Sequence, residues 1–481
     1  MDKKEIFEKI KSILNDNKIS VYRLAQITNI NRTTMQKAFS GDRNLSLRQF
    51  RDVLNALPVP LLERENLYND FYQSMWSQEQ IKRNQLVLEI LNSISNSLDI
   101  KSEPMGIECK SDLYNSSGVY SKEDFYTIME YTIANSKNTQ IEAYSYVPFH
   151  DNFFYKAISK HINDYSINCN INVLFEFLNH SSRGTEKNLV TLKNITPLIT
   201  DSDKRYKLHY VYVDSYFYDN HLSVYPYYIV FNGIVILVEK NLNHVMIVND
   251  SKFAEKIISA HKEKLEYTNV FNSAVFDFTQ AILKLIQDEP ANTNAMYSIT
   301  EEPCLSAFVP LEMYHRLITN DFPEKAYISE LISHRLDVIS KVAKKYVLFN
   351  KDAIYKFAEN GNLFLYCYKY LNPCTIEERI TVLKNFLNSI DDKHIVARAF
   401  DSNKINVTNN YEITEIKDSY NFSLFIYTRD NKIKLVQISE PTISSSLIEF
   451  IHDIIETKYT YSFEETRQIV KDAIESLEKS L

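Results

Sequence analysis

Glycine is scarce in this chain, with only six among 481 residues. That scarcity excludes the glycine-rich loops that wrap phosphates: there is no Walker loop and no GxGxxG. No HExxH, no GxSxG and no clustered His/Cys set occurs, and the eleven histidines are scattered. Five cysteines are present: Cys109, Cys169, Cys304, Cys367 and Cys374. Their odd number and the lack of any CxxC argue against a disulfide scaffold or a zinc site, and fit a reducing cytoplasm. No apolar run approaches the ~18 residues of a membrane span. Met1-Asp2-Lys3-Lys4-Glu5 leads into an amphipathic segment with no apolar signal core, so no secretion signal is expected. These absences predict a cytoplasmic protein with no catalytic residue, no cofactor and no metal site.

Hydrophobic residues make up 44% and charged residues 24%, enough to bury a large core. The length suits roughly two to four domains. The net charge of −8 is unevenly spread. Residues 1–60 hold eleven Lys/Arg against six Asp/Glu, a balance of +5, which leaves −13 on the rest. A basic head on an acidic body suits one end that meets an anionic polymer. A chance fluctuation of this size is the alternative.

The head is patterned as five short helices. Ile6, Ile10, Ile13 and Leu14 give residues 5–17 one apolar face. Ser20 caps a second helix, Val21 to Ile27. Thr28-Asn29-Ile30 makes a tight turn in which Asn29 takes the left-handed conformation. Asn31 caps a third helix, Arg32 to Ser40, ended by Gly41. Ser46 caps a fourth, with Leu47, Phe50, Val53, Leu54 and Leu57 inward. A fifth follows Pro58 and Pro60, from Leu61 to Tyr72.

Two helices joined by so short a turn describe a helix-turn-helix domain. The stretch ISVYRLAQITNINRTTMQKAFSGDRNLSL, Ile19 to Leu47, resembles the Cro/CI (XRE) family of transcriptional regulators. Leu24-Ala25 matches the family's Leu-Ala; Ile30, Met35 and Ala38 match buried positions; Gly41-Asp42-Arg43-Asn44 matches the loop after the third helix. Two positions depart from the pattern: Asn29 replaces the usual turn glycine, and Phe39 stands where the family is often acidic. The expectation is that Phe39 packs on the following helix or the next domain. The resemblance implies that the helix from Arg32 lies in the DNA major groove. Arg32, Thr33, Gln36 and Lys37 then occupy base- and phosphate-contacting positions. Arg suits guanine, Gln adenine, and Thr a thymine methyl. Lys37, Arg43, Asn44 and Ser46 suit phosphates, which fix register.

Residues 69–98 read as one long helix. Val87, Leu91, Ile94 and Leu98 form a short heptad seam. It suits either a dimer contact, expected because paired recognition helices read two half-sites, or packing on the chain's own body. Residues 99–121, with Pro104, Gly106 and Gly118, read as a linker.

The body is expected to be α/β or α+β. Its first section has helices at about 122–136, 151–163 and 251–267. Strands are expected at Ile141–Val147, Cys169–Phe175, Leu208–Val213, Tyr227–Phe231, Ile234–Glu239 and His244–Val248. The second has helices at about 309–320, 325–345, 352–359, 375–391, 442–457 and 463–480, with strands at Ile395–Phe400, Phe422–Tyr427 and Ile433–Ile438. Residues 227–265 and 422–458 share a plan of strand, turn, strand, polar link and helix, as related modules or as two independent uses of hairpin and helix. Such a body loosely resembles phospholipase-D-like folds, built from two α/β halves. That activity uses a His-x-Lys pair from each half. No His-x-Lys occurs here; His209 is followed by Tyr210 and Val211. The expected domains are 1–72 for the head, 73–121 for the connector, 122–270 for a sensor module and 271–481 for a second module.

Leu208–Tyr228 holds eight aromatics, interleaved with His209, Asp214, Asp219 and His221. His209, Tyr210, Tyr212, Asp214, Tyr216 and His221 are candidates for a small-ligand pocket. A sheet core or a protein interface would use the same pattern.

The resulting expectation is a dimeric, sequence-specific regulator that binds a double-stranded DNA operator. Its body would respond to a small-molecule or protein effector, with no membrane partner. The alternatives are a hydrolase- or nuclease-like enzyme tethered to the head, and a scaffold that recruits a partner.

Overall fold

Four phenylalanines decide how the first helices pack. The ring of Phe7 meets Phe39, Phe50 and Phe71 edge-on at centroid distances of 5.1, 5.8 and 5.9 Å, and Phe50 stacks on Phe71 at 3.8 Å. They come from α1 (Lys3–Asp16), α3 (Arg32–Ser40), α4 (Leu47–Asn55) and α5 (Leu61–Met75); α2 (Val21–Ile27) adds Leu24 and Ala25. All of these side chains belong to one apolar cluster drawn only from the first 76 residues. Phe39 therefore turns inward, its ring against Phe7 of α1, within the head's own core, which also holds Leu47 and Phe50 of the following helix.

The computed structural model describes residues 3–99, 118–134, 141–148, 153–155, 157–158, 169–179, 182–200, 206–213, 224–276, 280, 295–319, 330, 342, 344–363, 371–392, 394–408, 411–416, 421–427, 433–438, 440–455, 457 and 459–481. No described helix is long and apolar enough to cross a membrane.

The single helix expected over 69–98 is two. Trp76 adopts an extended conformation (φ −116°, ψ 147°) after α5. Ser77 then opens α6 (Gln78–Asp99) with a reciprocal cap: its hydroxyl accepts from the Gln80 amide at 3.1 Å, and its amide donates to the Gln80 side chain at 2.9 Å. Val87, Leu91 and Ile94 of the seam are buried inside the chain's own core. Of the two uses expected of the seam, the structure shows packing on the chain's own body; the side chain of Leu98 lies outside the described residues.

The body has two sheets. The first contains β1 (Gly118–Ser121), β2 (Ile141–Tyr146), β3 (Cys169–Leu178), β4 (Tyr206–Val213), β5 (Tyr227–Phe231), β6 (Ile234–Val238), β7 (His244–Val248) and β8 (Asn269–Val270), in the order β1-β7-β6-β5-β2-β3-β4-β8. The second contains β9 (Asn272–Phe276), β10 (Met296–Thr300), β11 (Lys345–Asn350), β12 (Ile395–Phe400), β13 (Tyr411–Ile416), β14 (Asn421–Tyr427) and β15 (Ile433–Ile438), in the order β12-β11-β10-β13-β14-β15-β9.

Apart from β8, one plan serves both. Three parallel strands (β2, β3, β4; β10, β11, β12) are followed by an antiparallel meander (β5, β6, β7; β13, β14, β15) that returns beside the first strand. The strand preceding each set closes the far edge, β1 on β7 and β9 on β15. The likeness expected from two hairpins thus extends to whole sheets. At the first hairpin Asn232 (φ 49°) and Gly233 (φ 77°) supply the two positive φ angles of a tight turn whose twist matches the strands. β1 falls in the stretch expected to be linker. The helix expected over 325–345 lies largely outside the described residues, and its last residue, Lys345, begins β11.

The remaining helices are α7 (Asp124–Ala134), α8 (Ser182–Thr200), α9 (Ser251–Leu265), α10 (Leu311–Leu317), α11 (Lys351–Asn360), α12 (Ile376–Asp391), α13 (Pro441–Ile454) and α14 (Phe463–Glu478). Strand alternation gives each sheet two apolar faces, so both are covered. α9 covers the outer face of the first sheet through Ala254 against Val230 and Val235. Its other face and the inner face of the second sheet share one core with α6, α7, α8 and α13. α10, α11, α12 and α14 cover the far face of the second sheet. The connector helix α6 thus belongs to the core of the body.

Candidate nucleic-acid interface and the aromatic strand

The turn between α2 and α3 is fixed by short-range bonds. The Ser20 hydroxyl accepts from the Arg23 amide at 3.1 Å, and the Thr28 hydroxyl donates to the Leu24 carbonyl at 2.9 Å. Asn29 sits at φ 53°, the left-handed region expected where a glycine is usual. The Asn31 side chain accepts from the Thr33 and Thr34 amides at 2.9 and 3.4 Å, satisfying two donors of the first turn of α3. Leu24, Ala25, Ile30, Met35 and Ala38 are buried at the α2–α3 contact.

This burial leaves one polar face outward. Arg32, Thr33, Gln36 and Lys37 are all exposed, and so are Arg43, Asn44 and Ser46 in and after the loop. The Arg32 guanidinium lies 5.2 Å from the centre of the Tyr22 ring, which orients it without neutralising it. α3 ends at Gly41 (φ 85°), and the Arg43 amide bonds back to the Lys37 carbonyl at 3.1 Å. The Arg43 guanidinium lies 3.4 Å from the Thr34 hydroxyl. Ser46 is more committed than the sequence suggested: its oxygen caps α4 by accepting from the Gln49 amide at 3.1 Å, and its hydrogen is left to donate outward. Arg32 and Thr33 open the first turn of α3, where the helix's partial positive charge adds to that of the guanidinium.

The aromatic strand divides the other candidates. Tyr206, Leu208, Tyr210 and Tyr212 lie on one face of β4, with Lys207 and His209 on the opposite face. His209 is half-buried and pairs through Nδ1 with the Thr268 hydroxyl at 3.2 Å. Burial and then the Lys207 charge lower its pKa. Tyr210 is buried among Phe175, Phe177 and Phe271, with centroids at 6.0, 5.2 and 6.1 Å. Tyr212 meets Tyr210 edge-on at 5.6 Å and is 36% exposed. His209 is therefore not part of a pocket with Tyr210 and Tyr212. Asp214, Tyr216 and His221 lie outside the described residues.

The sequence reading missed a polar set on the outer face of the first sheet. His261 of α9 is buried, its Nδ1 2.9 Å from the Tyr228 hydroxyl, and its Nε2 has no hydrogen-bond partner. The Tyr146 hydroxyl donates to Glu176 nearby. The signal was available in the alternation of β2, β3 and β5, which places Tyr146, Glu176 and Tyr228 on one face. Among the described residues no group of three or more His, Cys, Asp or Glu side chains could hold a metal ion.

No protein-family model matches the chain, and no curated protein matches it. Among solved structures it is similar to the phosphatidylserine synthase of Haemophilus influenzae Rd KW20, with 9% identity and a TM-score of 0.24, over 82% of this chain and 99% of that one. It is also similar to the polyphosphate kinase of Porphyromonas gingivalis, with 9% identity and a TM-score of 0.22, over 70% of this chain and 50% of that one. Both scores fall below the level that marks a shared fold.

Proposed function

We propose that the chain is a DNA-binding transcriptional regulator of the helix-turn-helix type. Its first 76 residues read duplex DNA, and its two-sheet body senses an effector. The observation that carries this reading is the division of α3: Met35, Ala38 and Phe39 are buried, while Arg32, Thr33, Gln36 and Lys37 share an exposed face with Arg43, Asn44 and Ser46 beside it. The Cro/CI resemblance assigns these positions to DNA, and the +5 balance of the first 60 residues supports an anionic partner. The effector role of the body rests on its size and on the route by which α6 carries the head into the body's core.

The test is retention of fragmented source-genome DNA by the purified protein at two salt concentrations, followed by sequencing. A short enriched site is expected, and a two-fold site with half-sites ~34–36 Å apart would mark a dimeric complex. Arg32→Ala should cost ~1–3 kcal/mol of discrimination at one base position. Lys37→Ala should weaken binding to all sequences and reduce the salt slope by about 1. Full affinity and selectivity in the double variant would remove α3 as the reading helix.

A further inference from the structure

The arginine that opens α3 rests against a ring that α2 presents to solvent. Arg32 is exposed, and among the described residues its guanidinium has neither a hydrogen-bond acceptor nor a carboxylate partner. Tyr22 is 52% exposed. Leu24 and Ala25 are buried at the α2–α3 contact, so α2 turns Tyr22 and Gln26, one turn apart, outward on one face. Gln26 Nε2 donates to the Tyr22 hydroxyl at 3.1 Å, and Arg23 Nη1 donates to Gln26 Oε1 at 3.3 Å. The ring is thus tethered at its hydroxyl, while its face receives the Arg32 guanidinium at 5.2 Å from its centre. Both helices that carry this contact are capped at their starts, α2 by Ser20 and α3 by Asn31, so the backbone beneath each side chain is fixed.

An arginine side chain free in solvent samples many rotamers and loses that freedom when it reads a base. A ring that attracts the guanidinium restricts it before DNA arrives, so less freedom is lost on binding. The attraction acts on the charge and leaves every N–H of the guanidinium unbonded. The two-pronged edge that fits guanine O6 and N7 therefore stays available. The same attraction opposes the other use of an exposed arginine, a loose contact with the nearest phosphate, which reads no base.

We propose that Tyr22 is a positioning residue for base selectivity. Its ring holds Arg32 for a guanine at one position of the operator; without the ring, Arg32 becomes a general phosphate contact. This role rests on the DNA-reading function proposed above. It is confined to the base that Arg32 faces, because Gln36 has no such ring beside it among the described residues and reads its base without this aid.

The test compares the full chain with Tyr22→Leu, Tyr22→Phe and Arg32→Ala in two measurements. Without DNA, isotopic labelling of the arginine nitrogens gives one Nε–H resonance that Arg32→Ala removes. The ring should displace it upfield in the unaltered protein and in Tyr22→Phe, and Tyr22→Leu should return it to the position of free arginine. With DNA, the enriched site competes with the same duplex altered at the base pair whose preference Arg32→Ala abolishes. That preference should fall about two- to fivefold in Tyr22→Leu and persist in Tyr22→Phe, with Tm unchanged because the ring lies at the surface. The preference that Gln36→Ala abolishes should stay intact in Tyr22→Leu. In the Arg32→Ala background, Tyr22→Leu should have no further effect. A ring that only supported the fold, or that touched DNA itself, would weaken both duplexes alike and add to Arg32→Ala; that result overturns the role. A resonance that Tyr22→Leu does not move, or a base preference that it does not change, also overturns the role and leaves DNA reading by the head standing. A displaced resonance in a protein that selects no DNA site removes the regulator, and the selectivity role with it, while the contact between ring and guanidinium remains.

Discussion

His261 lies between two tyrosines, its ring edge-on to Tyr144 at 5.3 Å and to Tyr228 at 5.8 Å. Burial, then the charges of Lys264 and His209, push its pKa down to about 4. In the unfolded chain the same ring titrates near ~6.5. Between these values the unfolded state binds a proton that the folded state does not, so stability falls as pH drops from about 6.5 to about 4 and then levels off. The expected loss from this residue is on the order of 3 kcal/mol. Urea midpoints at the two ends of that window should fall less in His261→Phe than in the unaltered protein. An equal fall in both would assign the acid sensitivity to other groups. Of the single-residue features, the helix caps were the most legible. Ser20, Asn31 and Ser46 each cap the helix expected of them, because capping depends on neighbours in sequence. Phe39 was not legible, because its partner Phe7 is remote in sequence.

The element that most changes meaning in three dimensions is α6. Its apolar positions fit a two-chain seam and a buried helix equally well, and periodicity does not distinguish them. In the fold Val87 and Leu91 are completely buried, and the Ser95 hydroxyl donates to the Asn406 carbonyl at 2.8 Å. Leu91→Ala is therefore expected to cost ~2–5 kcal/mol through the cavity it leaves. That loss should be the same at widely different protein concentrations, whereas a Tm that rises with concentration would return the seam to a dimer. Elements with strong local signals were legible: the hairpin around Asn232-Gly233, and helices α12 and α14 with their capping boxes. α8 was not, because it buries Asn188, Thr191, Asn194 and Thr196 and carries Pro197, a composition that reads as loop. β10 and β13 were missed as well; each is short, and they pair with one another across more than a hundred residues. The break at Trp76 had a sequence signal, Ser77 with Gln80 three residues on, which the surrounding helical pattern concealed.

At the scale of the whole molecule, the head and the body have separate cores joined by α6. The head's apolar cluster closes within the first 76 residues, with Trp76 at its margin. Residues 1–76 expressed alone should therefore fold cooperatively and keep the base preference of the full chain, as melting and DNA-retention measurements would show. A fragment that stays unfolded would mean that the head needs the body to complete it. Of the candidate sites, the head's could be read in the sequence because one short stretch supplies all its side chains.

The two sheets stack in one direction. The first turns the face that carries α8, the crossover between β3 and β4, toward the middle of the body; the second turns inward the face that carries α13, which follows its meander, and leaves its own crossover helix α12 outside. A pair related by a two-fold axis would present every interfacial feature twice. This polar stack presents each once, so the contact between α8 and α13 has no mirror image elsewhere in the chain.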